Sequence, residues 1–234
     1  MQYMIHACPQ RMWYVEEFLL PSMLAQGIAR EEITVWNDAD GKGNLLAFME
    51  SMRVCGKLGD GAVWHLQDDV LISELFAERT QAISAGVACG FGCSNWDLEI
   101  AMTGRVPMQF AWYSFQCIRI PNVTAGELAD WFFGDAVYRE RWKDRVADRK
   151  HDDWFFRKFL EEKHKGETVT NVRPCLVEHV DWLIGGTVIN RDRRLQQNRA
   201  AYWTEPELIE RLAKALEERA AARAVPTEKT TGDS

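Results

Sequence analysis

Over the first half of the chain, short apolar runs alternate with longer stretches of helical period. Met4 to Cys8 is an apolar run stopped by Pro9, which predicts a buried strand. Residues 12 to 27 place Trp13, Val15, Phe18, Leu19, Met23 and Leu24 in a helical pattern, interrupted by Pro21 and ended by Gly27. Ile33 to Trp36 predicts a second strand, closed by the turn-rich N-D-A-D-G-K-G. A helix from about Asn44 to Lys57 follows, then a strand from Ala62 to Leu66, a helix over about Glu74 to Ala85, and a fourth short strand in the G-V-A-C-G that begins at Gly86. This alternation implies parallel pairing through right-handed crossovers.

The second half has a different pattern. Pro107 to Ile120 is a long, aromatic-rich β-prone stretch, and Ala125 to Phe133 predicts a short helix. Arg139 to Lys150 is a locally positive segment, His151 to Lys163 has the period of an amphipathic helix, and Val169 to Val180 returns to strand. The sequence T-E-P-E from Thr204 is a capping box with proline in the first turn, opening a helix to about Ala222. The final ten residues, V-P-T-E-K-T-T-G-D-S, are polar and expected to be disordered. No internal repeat is visible.

With 234 residues, 47% apolar and 27% charged, the chain has the composition of a soluble globular protein with a sizeable core. Its net charge of -7 argues against a surface built throughout for nucleic acid. The N-terminus lacks the basic-then-apolar signature of a signal peptide, and no run of about 18 apolar residues predicts a membrane span. The six cysteines are scattered, mostly within apolar runs. Cys89-G-F-G-Cys93 is the only close pair and lacks the second pair of a structural zinc site. Free buried thiols, and with them a cytoplasmic location, are expected.

In an open parallel sheet, ligands bind beyond the carboxyl ends of the strands. Three of the expected strands end in polar residues suited to such a site: A-C-P-Q-R with Arg11, N-D-A-D with Asp38 and Asp40, and Q-D-D with Gln67, Asp68 and Asp69. A basic group, several carboxylates and a helix N-terminus can together hold a nucleoside diphosphate and a divalent metal. Taken singly, these residues suit simpler roles. Arg11 fits a solvated helix start, Asp38 and Asp40 fit turn formers, and Asp68-Asp69 fits a loop or capping pair. Their recurrence at three successive strand ends is what points to a site.

These motifs resemble those of glycosyltransferases of the GT-A fold. More narrowly, they are similar to metal-dependent N-acetylglucosaminyltransferases and to small bacterial and phage relatives. The resemblance runs in order over roughly residues 2 to 190. It implies an α/β fold with a Rossmann-like mixed sheet flanked by helices in a single domain. Within it, residues 1–106 would form the donor-binding half and 107–203 the acceptor-binding and catalytic half, followed by a C-terminal helix (204–224) and a tail (225–234). It also implies a nucleotide-sugar donor, most simply a UDP-sugar, and Mn²⁺ or Mg²⁺ bound at a D-x-D-like motif.

Residue by residue, the resemblance places Arg11 and Asp38 at the nucleotide, with Asp38 at the base and Asp68 near the ribose or sugar. Asp69 becomes a metal ligand, and Gln67, standing where an acidic residue is frequent, is placed with the donor-binding residues. H-D-D-W-F-F-R-K-F-L resembles the helix start that carries the catalytic base of inverting members, which gives Asp152, with Asp153 the second choice. A carboxylate at a helix N-terminus is stabilised as the anion, ready to accept a proton. In V-E-H-V, His179 would complete the metal shell. Helix capping by Asp152 and a structural role for His179 are the plainer alternatives.

The activity so implied is metal-dependent, inverting transfer of a hexose or N-acetylhexosamine to an acceptor hydroxyl, on a glycan or a hydroxylated DNA base. Trp112, Tyr113 and Phe115 would suit stacking on an acceptor, although strand aromatics commonly form core. A nucleotidyltransferase shares the architecture, but no Gly-rich basic loop follows the first strand. The rival of a different class is a non-catalytic nucleotide- or DNA-binding module, for which Arg139 to Lys150 and Arg191, Arg193, Arg194 and Arg199 would supply the charge.

Overall fold

The computed structural model describes residues 1–84, 86–91, 105–107, 116–134, 140, 143–144, 152–172, 175–184 and 206–224. Cys93, Trp112, Tyr113, Phe115, most of the basic stretch from 139 to 150, the arginines from 191 to 199, Thr204 and the polar tail lie outside these residues. The chain divides into two compact units, Met1–Thr204 and Glu205–Ser234. In the second, the described residues form one helix, Pro206–Ala224. Among the described residues, no helix is long and apolar enough to cross a membrane.

The first unit is built on β1 (Gln2–Ala7), β2 (Ile33–Asn37), β3 (Ala62–Gln67), β4 (Val70–Ile72), β5 (Ala88–Cys89), β6 (Arg105–Pro107), β7 (Cys117–Pro121), β8 (Thr168–Asn171) and β9 (Val177–His179). Seven of these form one sheet in the order β2-β1-β3-β7-β5-β8-β6, while β4 and β9 form a separate pair. Strands β1, β2 and β3 are parallel, as expected. The fourth expected strand, β5, does not continue that array. The antiparallel β7 lies between β3 and β5, so the sheet is mixed. The short β4 follows the aspartates directly, where a loop into a helix was expected. The stretch from Val169 to Val180 divides into β8 in the large sheet and β9 in the small one.

Helix α1 (Met12–Tyr14) and helix α2 (Leu20–Ala25) are joined by a π turn over Val15–Leu19, in which the Leu20 amide reaches back to the carbonyl of Val15. Pro21 has no amide to donate, and the wider turn just ahead of it lets the helix continue where an interruption was expected. Gly27, at φ 82°, ends the segment. The other helices are α3 (Asn44–Cys55), α4 (Phe76–Gln81), α5 (Asn122–Gly134), α6 (Asp152–Lys163) and α7 (Asp181–Ile184); α8 is Pro206–Ala224. One sheet face presents Met4, Val63, Ile118 and Ile120 to a core completed by α3, α5 and α6 through Phe48, Met52, Leu128, Phe132, Phe155 and Phe159. Helices α3 and α5 approach closely at two glycines. A Cβ on Gly56 would lie 2.6 Å from the Gly126 Cα. On the other face Tyr3 meets Phe76 and hydrogen-bonds Thr80. A central mixed sheet flanked by helices is the Rossmann-like α/β arrangement expected.

Candidate active site at the carboxyl ends of β1 and β3

Parallel pairing of β1 with β3 sets His6 against Gln67, so both strands end at the same level. Past that level β1 turns through Cys8 into a short 3-10 turn, Pro9–Arg11, and β3 turns through Asp68 and Asp69 into β4. The Cys8 amide donates to Asp68 Oδ2 at 2.7 Å. The Arg11 guanidinium spans both acids, with Nη2 2.6 Å from Asp68 Oδ1 and Nη1 2.8 Å from Asp69 Oδ2. The two like charges therefore share one half-buried cation. Pairing of β4 with β9 opposes Val70 and His179, and the Val180 amide donates to the Asp69 carbonyl at 2.9 Å. This register carries His179 Nε2 to 3.3 Å from Asp69 Oδ2, with Asp181 Oδ1 at 3.6 Å.

Burial alone would raise the Asp69 carboxyl, but Arg11 and His179 together hold it well below the usual carboxylate range. Its neighbour behaves differently. Burial, reinforced by the Asp69 charge, pushes Asp68 up against the opposing pull of Arg11 and the Cys8 amide. Protons on such a pair belong to the pair as a whole. Burial would also lower Arg11 and His179. Asp69 and Asp68 more than offset it for the guanidinium, and Asp69 and Asp181 do so for the imidazole.

Asp152, the first residue of α6, is 4% exposed and lies beside β3. Gln67 Nε2 donates to its Oδ2 through a long hydrogen bond of 3.4 Å, and the Asn44 side chain at the start of α3 also bonds it. Burial is the main reason that its carboxyl is pushed up to about 7, with the Asp153 charge adding to the effect. Asp153 turns its own carboxylate to the Trp154 amide at 2.6 Å. Asp38 is buried at the end of β2 and accepts the amides of Lys42 at 2.9 Å and Gly43 at 3.0 Å, which shapes the loop into α3. Asp40 is exposed and pairs with Lys42.

The structure thus gathers Arg11, Asp68, Asp69 and His179 into one cluster and joins Gln67, from the same strand end, to Asp152. Asn44 and Asp181 were not singled out by sequence. The first opens a helix after a glycine turn, and the second follows His179 by two positions. Glu178, between Val177 and His179 in β9, is buried, and that burial pushes its carboxyl up to about 7. His6 and His65, with rings 5.6 Å apart, are kept neutral by burial, His6 down to about 4. Cys8 is half-buried, and Cys55, Cys89, Cys117 and Cys175 are buried, all as free thiols.

Among the described residues, no three His, Cys, Asp or Glu side chains form a ready-made metal cluster. The residues fit a divalent ion as part of a shell. Asp69 Oδ1 is buried without a hydrogen-bond partner, and the imidazole Nε2 of His179 stands at its other oxygen. A carboxylate oxygen and an imidazole nitrogen suit Mn²⁺, with the remaining positions open to oxygens of a ligand or water.

No protein-family model matches the chain, and no curated protein does. Among solved structures the chain is similar to the galactosyltransferase LgtC in complex with donor and acceptor sugar analogues. The match covers 97% of this chain and 98% of that one at 12% identity, with a TM-score of 0.44. At that identity and score the likeness has no weight for function.

Proposed function

We propose that the chain is a metal-dependent glycosyltransferase that moves a sugar from a nucleoside-diphosphate sugar to an acceptor hydroxyl with inversion. The observation that carries this reading is the pairing of two units at one sheet end. One is the Arg11–Asp68–Asp69–His179 cluster, with both acids buried, suited to a diphosphate and its cation. The other is a buried carboxyl, Asp152, that gains and loses its proton near neutrality. A general base is most effective when its pKa lies near the working pH.

In this reading Arg11 would turn from the aspartates towards the donor diphosphate, and Asp69 and His179 would hold Mn²⁺ or Mg²⁺. When bound, that ion neutralises charge developing on the leaving diphosphate. Asp68 lies near the ribose or sugar and Asp38 near the base. Asp152 takes the proton of the acceptor hydroxyl, whose oxygen attacks the anomeric carbon opposite the departing diphosphate. UDP-linked hexoses or N-acetylhexosamines are the donors proposed. The acceptor is a glycan or a hydroxylated base.

Thermal stabilisation by a panel of nucleotide-sugars, with and without Mn²⁺, tests the donor reading. Stabilisation by one donor only when the ion is present is expected. The absence of any response across the panel would count against it. Transfer to simple acceptors, with the product's anomeric configuration read by NMR, tests inversion.

A further inference from the structure

Gln67 occupies the position where the resembled motif is frequently acidic, and its side-chain amide donates to Asp152 through a long contact of 3.4 Å. The two residues are 85 positions apart and reach each other because α6 packs its N-terminus against the end of β3. Asn44, from the start of α3, bonds the same carboxyl. Two neutral side-chain amides from two different elements therefore meet one buried acid, beside the backbone amides of Asp152 and Asp153. We propose that Gln67, together with Asn44, is a positioning residue for Asp152, and that the amide at position 67 sets the base instead of binding the donor sugar. The proposal rests on the glycosyltransferase reading for its catalytic meaning but not for its NMR titration.

The chemistry of position 67 follows from the neighbours of the carboxyl group. On its own helix the Asp152 carboxyl faces the charge of Asp153, which pushes it further up. From α3 it meets Asn44 and from β3 it meets Gln67, both neutral. An acid at position 67 would place a second negative charge at hydrogen-bond distance from a carboxyl that burial already disfavours as an anion. The base would then stay protonated at neutral pH. An amide instead donates one hydrogen bond and adds no charge, so the carboxylate remains accessible and its Oδ2 stays fixed. Gln67 also directly precedes Asp68, so a single strand end sets the spacing between base and diphosphate cluster.

The test uses Gln67→Glu and Gln67→Met in the full chain. The Asp152 carboxyl is titrated by ¹³C NMR, assigned by its loss in Asp152→Asn. Gln67→Glu should move that titration upward by about one pH unit or more, and Gln67→Met by less. The acidic limb of kcat/KM should move with it, so that activity below the limb falls about tenfold for each unit. Affinity for a nucleoside diphosphate with Mn²⁺, and for the intact nucleotide-sugar, should stay within about twofold of the parent. An unmoved Asp152 titration in both variants would overturn the proposal, as would loss of nucleotide-sugar affinity with the titration in place. Should no donor be transferred at all, the glycosyltransferase reading falls, while the NMR titration still decides what Gln67 does. Gln67→Met introduces no charge and remains readable if Gln67→Glu fails to fold.

Discussion

Asp152→Asn replaces a buried carboxyl with a neutral amide of the same size, and its effect on stability should depend on pH. Burial and Asp153 raise this group from 3.8 to about 7. The folded state therefore holds the proton more tightly than the unfolded state, and between those two values stability falls as pH rises. At 1.36 kcal/mol per pKa unit, the difference amounts to about 4 kcal/mol, lost progressively through the window and constant above it. The Asn side chain has no proton to lose. Near pH 4 the variant should match the parent or fall slightly below it, since Gln67 and Asn44 then meet an amide in place of a carboxyl. Above about pH 8 it should be more stable by up to that 4 kcal/mol, or about 10 °C in Tm for a chain of this size. Urea melts of both proteins at intervals from about pH 4 to 9 measure the difference directly. A difference that stays constant across the series would refute the reasoning, because Asp152 would then ionise like an exposed carboxylate. Over the same range the parent's kcat/KM should rise to a plateau through about 7. Transfer by Asp152→Asn should fall by about 10²–10⁴-fold with donor binding retained, and Asp153→Asn should cost much less.

Asp69→Ala should abolish metal-dependent binding of a nucleoside diphosphate while circular dichroism stays native, and unchanged affinity in Mn²⁺ would count against a metal role. His179→Ala should raise the Mn²⁺ concentration needed for half-maximal activity. A fall in Tm alone would make the imidazole structural. Arg11→Ala strands two buried carboxylates beside each other and should cost about 3–5 kcal/mol in a urea melt at neutral pH, easing as the pair is protonated in acid. A loss below about 1 kcal/mol would show that water or a rearranged neighbour solvates the pair instead.

The local elements, and the ends at which chemistry collects, are legible in the order of residues alone. Apolar runs stopped by Pro9, by the glycine turn after Asn37 and by Asp68-Asp69 mark β1, β2 and β3, because strand period and turn chemistry depend on adjacent residues. Those boundaries place Arg11, Asp38, Asp68 and Asp69 at strand ends before any pairing is known, and a helical period beginning at Asp152 places that acid at a helix start. What lay beyond reach was pairing between distant segments. Nothing local in Cys117–Pro121 says that it inserts antiparallel between β3 and β5, nor that β9 leaves the large sheet to bring His179 to Asp69. The same holds for the contact between Gln67 and Asp152 and for the two glycines that let α3 and α5 touch. The proton affinity of Asp152 was least legible of all. An Asp at a helix start is stabilised as the anion when it faces water, whereas here α3, α6 and β3 close around it and burial reverses the direction. Only the packed tertiary structure excludes the water, and that exclusion turns a helix cap into a group that titrates near neutrality.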